Sequence, residues 1–205
     1  TLAKQCEHPP AREALMAQGR RLCKAYAGRG RHYHGLEHVA ALLKLWREHQ
    51  QDLKHPEQVA LAIWYHDAVY NALRKDNEQR SAQWARQDLQ RWGLPTHFIK
   101  NVVQMIAVTA HHHALPETVS QDLLWFLDFD LGILGAEPEV YTRYVEQVRK
   151  EYRWVPEVLY RQGRVKVLKH MLQQDFLYYT PLFRQHKERP ARENIRKEIA
   201  YWEHL

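Results

Sequence analysis

Three short stretches of the chain carry imidazole and carboxylate groups among apolar side chains. His66 and Asp67 are adjacent in PEQVALAIWYHDAVY, with Leu61, Ala62, Ile63, Trp64 and Tyr65 before them and Ala68 and Val69 after. His34 and His38 stand four apart in RHYHGLEHV, and Asp128 and Asp130 stand two apart in FLDFDLGILG. An imidazole beside a carboxylate in apolar surroundings is costly unless both are paired or bound to a cation. A divalent ion satisfies both group types at once, and this donor mixture suits Mn, Fe, Co, Ni or Zn rather than calcium. Neighbouring helical residues point about 100° apart, so His66 and Asp67 could share one ion only in a notch between helices. His34 and His38 would face one side together if their helix begins by residue 34. Asp128 and Asp130 both stay open as the further carboxylate.

The elements that must position these groups read as helices. Val39, Leu42, Leu43, Leu45 and Trp46 form an apolar stripe at helical spacing. Pro56 stands where a first helical turn accepts proline and opens the segment that carries His66 and Asp67. DNEQRSAQWARQDLQRWGL starts acidic, with Asp76 as its cap, and stops at Gly93 with Pro95 just beyond. Further helices are expected from Pro95 through Val108, from Ser120 into LGILG, and over EPEVYTRYVEQVRKEY, VPEVLYRQGRVKVLKHMLQQ and RPARENIRKEIAYWEH. No stretch alternates as a strand would. The fold class is therefore all-α, a compact irregular helical bundle of about eight helices. Trp64, Tyr65, Tyr70, Trp125, Phe126 and Phe129 read as core and cleft walls.

At 205 residues, 45% hydrophobic and 26% charged, the chain fits one ordinary globular domain over 1–205 rather than a disordered segment. No apolar run reaches the ~18 residues of a membrane helix. The N-terminal stretch lacks the apolar segment of a secretory signal, which points to the cytoplasm and to Cys6 and Cys23 as free thiols. A net charge of +6 favours anionic partners, small phosphorylated molecules among them. The basic residues are interspersed with acidic ones, without the block of a nucleic-acid arm, so nucleic acid is open but not favoured. Oligomeric state is not readable at this level.

The order His38, His66-Asp67 and a late aspartate resembles the signature of the HD superfamily of metal-dependent phosphohydrolases. YHGLEH, WYHDAVY, DNEQRSA, TAHH, FLDFDLGILG, YTRYVEQVRKEY, YRQGRVKVL and ARENI are similar to a bacterial subfamily of predicted metal-dependent HD phosphohydrolases, from about residue 30 to the C-terminus. The resemblance implies an HD core over about 30–135, with C-terminal helices over about 137–205 packed on it. It implies one divalent transition metal ion, with a second left open by His112 at a Thr-x-x-His position after Thr109. The ligands would be His38, His66, Asp67 and Asp130, with Asp128 as the alternative fourth ligand. The chemistry implied is hydrolysis of a phosphomonoester or phosphoanhydride, plausibly of a nucleotide. Asp67 and Glu78 are then the catalytic candidates. His34, Asn77, His112, Arg149 and Arg164 are the substrate-binding ones, with Arg74 and Lys75 further phosphate candidates; His111 and His113 would face solvent. Two other classes stay in view: a di-iron HD-type oxygenase and a non-catalytic metal-containing binding module.

Overall fold

A computed structural model describes residues 11–112 and 115–204, so Cys6 and His113 lie outside the described residues. Among the described residues every regular element is helical, with nine α-helices in order. These are α1 (Arg12–Tyr26), α2 (Leu36–Glu48), α3 (Pro56–Tyr65), α4 (Asn77–Arg91), α5 (Thr96–Val108), α6 (Gln121–Asp130), α7 (Pro138–Glu151), α8 (Glu157–Leu172) and α9 (Pro181–His204). Short 3₁₀ turns occupy Gln50–Asp52, Thr109–His111 and Leu131–Gly135. None of these helices is long and apolar enough to cross a membrane. Cys23 is a free, half-buried thiol of α1.

Two compact units divide between Phe126 and Leu127, inside α6. In the first, α3 packs against α2, α4 and α5. Val59, Ala62, Ile63 and Tyr65 of α3 are fully buried, as are Phe98, Val102 and Ile106 of α5. The start of α3 is tied down by Asp122, whose two carboxylate oxygens accept the Lys54 and His55 backbone N–H groups at 2.7 and 2.8 Å. The end of α4 is a Schellman stop: Gly93 takes φ +67°, its N–H donates to Gln90 O, and Leu94 N–H donates to Leu89 O. Asp76 does not cap α4 through its side chain; the Arg74 guanidinium takes both its oxygens at 2.7 Å.

The second unit wraps α9 around the LGILG turn. Gly135 is required there, because a Cβ would stand 2.8 Å from the Lys187 carbonyl oxygen. Asn194 donates to the Leu134 and Ala136 carbonyls, both at 2.9 Å. The sequence pattern places a helix start near Pro190, yet α9 begins at Pro181 and runs through Pro190. Asp128 explains the earlier start, since it accepts Tyr179 N–H and Thr180 N–H at 2.7 Å each and the Thr180 hydroxyl at 2.6 Å.

Candidate metal centre

His38, His66 and Asp67 converge. Their ligand atoms all lie within 4.8 Å of one another, and all three residues are buried. His38 comes from the first turn of α2. His66 is the C-cap of α3, and Asp67 lies in the turn that follows. The doublet is therefore not inside a helix, as the apolar run around it suggests. The chain turns at His66, which lets both side chains reach one point. The negative end of the α3 dipole also faces this turn and favours a cation there.

His66 Nδ1 stands 2.9 Å from the Ile63 carbonyl oxygen. A carbonyl only accepts, so Nδ1 carries the proton and Nε2 presents its lone pair. That Nε2 lies 3.1 Å from His38 Nε2 and 3.2 Å from Asp67 Oδ2; His38 Nε2 is 3.9 Å from the same carboxylate oxygen. Bonds of ~2.1 Å to one ion would set neighbouring donors ~3.0–3.4 Å apart at octahedral to tetrahedral angles. Two of the three separations fall in that range. Burial would raise the Asp67 pKa; when His66, His34 and His38 are protonated their charge outweighs it and holds the carboxyl below the usual range. Two imidazole nitrogens beside a carboxylate oxygen, with the His66 tautomer fixed by a carbonyl, fit a divalent ion.

A strap not singled out in the sequence holds this turn. Arg31 donates to the Asp67 carbonyl at 2.6 Å, the Ala68 carbonyl at 2.9 Å and the His34 carbonyl at 2.9 Å. Its guanidinium also lies over the Tyr26 and Tyr70 rings. A second support sits behind Tyr65, whose hydroxyl donates to the buried Asp88 at 3.0 Å while Gln18 of α1 reaches the same oxygen. Arginine and tyrosine near a motif carry no periodic signal, which is why neither support is visible in sequence spacing.

His34 precedes α2 rather than belonging to it, so the i, i+4 reasoning fails. Its ring nonetheless stands 6.0 Å from the His38 ring and stacks on Tyr70 at 4.4 Å. Phe126 sets its ring edge-on against His66, 5.9 Å away. Asp130 is half-buried at the end of α6, in the second unit. Asp128, the alternative ligand, is instead a strut: both its oxygens are engaged at the start of α9.

Several expected substrate residues have structural occupations. Asn77 accepts Asn71 N–H at 3.0 Å and donates to Asn71 O at 2.9 Å, closing the loop before α4 rather than presenting its amide. Arg164 forms a two-pronged pair with Glu198 at 2.8 and 3.0 Å. Arg149 donates to the Tyr152 and Val155 carbonyls beyond α7. Glu78 is half-buried in the first turn of α4, and His112 is half-buried after the 3₁₀ turn. Arg74 is paired with Asp76, and Lys75 is exposed. Comparison with family models, with curated proteins and with solved structures finds no match to this chain.

Proposed function

We propose that the chain is a metal-dependent phosphohydrolase of the HD type, acting on a phosphomonoester or phosphoanhydride, with a nucleotide as the expected substrate class. The observation that carries the reading is the buried convergence of His38, His66 and Asp67, with the His66 tautomer fixed by Ile63 O. A divalent ion bound there would supply positive charge toward phosphoryl oxygens and activate water. His38 and His66 would hold it through Nε2 and Asp67 through Oδ2. Asp67, its carboxyl held below the usual range, would contribute negative charge to such an ion. Glu78 would take the acid/base role and His112 a phosphate-binding one, as the resemblance implies, and the His34 ring lies 6.0 Å from that of His38.

Purified protein should contain a transition metal and hydrolyse one class among a panel of nucleotides and phosphorylated metabolites supplied with Mn, Co, Ni or Zn. His66→Ala with Asp67→Ala should lose both metal and turnover; full turnover without those side chains would defeat the reading. Two irons per chain with oxygen consumption would point to an oxygenase instead.

A further inference from the structure

The second unit contains a cleft of about 640 Å³ between α7 and α9. That volume lies within the range of small-molecule sites. Tyr141, Val145, Tyr201 and Trp202 supply aromatic and aliphatic surface. Tyr201, a large ring on α9, is 57% exposed. Tyr141 cannot swing away, because its hydroxyl donates to Glu198 Oε2 at 2.5 Å.

Charge selects among the ligands such walls could take. Glu198 lines the cleft, yet its oxygens are filled by Arg164, by Tyr141 and by the Trp202 indole N–H. An acid neutralised in this way does not repel an anion. Of the other cleft residues Arg149, Lys150 and Lys197 are basic and Glu146 is acidic; Arg149 is held by the Tyr152 and Val155 carbonyls, and Lys197 also lies near Glu193. Lys150 and Lys197 are exposed, and neither is held in an ion pair among the described residues. Ring surface beside two exposed lysines is complementary to a flat apolar body with one negative group.

We propose that this cleft is a binding site for a planar aromatic anion, its ring against Tyr201 and Trp202 and its charge met by Lys150 and Lys197. The site is built from residues of the second unit alone and does not depend on the metal reading. The probe is 2-naphthalenesulfonate, titrated into the full chain by calorimetry at low salt. Its neutral analogue 2-naphthalenemethanol and the ringless methanesulfonate serve as controls. One molecule of the sulfonate should bind per chain, about tenfold tighter than either control, and should weaken as salt rises. Lys150→Glu with Lys197→Glu should cost about tenfold in affinity, and Tyr201→Ala a similar factor, with unchanged melting curves. His66→Ala with Asp67→Ala should leave binding intact. Equal binding of the alcohol, undiminished binding by the charge-reversed variant, or loss of binding only in the His66/Asp67 variant would each overturn the assignment.

Discussion

Single side chains in this protein separate into those whose polar atoms are satisfied and those whose atoms are not. Asp128 belongs to the first group: burial pushes its carboxyl up to about 6, although the Thr180 hydroxyl and the Tyr179 and Thr180 N–H groups pull it down. Removing it leaves two backbone donors without acceptors. Asp128→Ala should therefore destabilise the fold by about 3 kcal/mol in denaturant titration. A loss of metal without a loss of stability would instead restore Asp128 as a ligand. Tyr160 belongs to the second group, since its buried hydroxyl has no hydrogen-bond partner, and burial raises its pKa to about 12. Its ring still packs against Trp202 and under Arg149. Tyr160→Phe keeps that packing and removes the desolvated group, so thermal unfolding should show a gain of about 1 kcal/mol.

Helices here matter most at their ends. α3 ends at Tyr65, and the turn that follows carries the candidate ligands, held by the Arg31 fork on the Asp67 and Ala68 carbonyls. A lysine keeps the charge but cannot bridge three carbonyls with a planar fork. Arg31→Lys should therefore weaken metal binding about tenfold, read by competition with a chelator, while helical content stays unchanged. Unaltered affinity would show that the turn keeps its shape without the strap. α4 and α9 make the same point from the other side. Gly93 stops α4 where the sequence pattern places the stop, because the left-handed conformation there favours glycine. α9 ignores Pro190, because Asp128 and Thr180 supply a better start ten residues earlier.

The whole molecule should respond to acid through Glu198 and to metal through the histidine cluster. Burial would raise Glu198, but the Arg164 fork and charge, with Tyr141 and Trp202, hold it below its ordinary value of 4.5. Because the folded pKa is depressed, the stabilisation is fully present above that ordinary value. It is lost as pH falls below 4.5 toward the folded value. Acid unfolding should thus steepen below that point in wild type and flatten in Glu198→Gln, which should itself be about 3 kcal/mol less stable at neutral pH because Arg164 is left buried and unpaired. Asp128 acts with the opposite sign: its raised pKa gives stability that is present in acid and fades as pH rises toward about 6. A bound divalent ion at a hundredfold excess over Kd should add about 2.7 kcal/mol, seen as a rise in Tm that a chelator reverses. No such rise in the His66→Ala, Asp67→Ala chain is expected.

The sequence by itself determined the helical class, because apolar spacing, prolines at helix starts and the glycine stop at Gly93 are local signals that tertiary packing reinforces. It also marked the cluster, His66 and Asp67 as a polar doublet in an apolar run and His38 through spacing and motif order. It did not reveal α1, whose residues are mostly polar and exposed, nor the Gln18, Tyr65 and Asp88 contacts that join α1 to α3 and α4. Only the tertiary structure decided that α3 stops before His66, that Arg31 braces the turn, that Asp128 anchors α9, and that Asn77 and Arg164 are engaged elsewhere. The physical reason is that a side chain's role depends on which partners compete for its polar atoms. Those partners come from segments 6 to 52 residues away in the cases of Asn77 and Asp128, beyond the reach of any spacing rule.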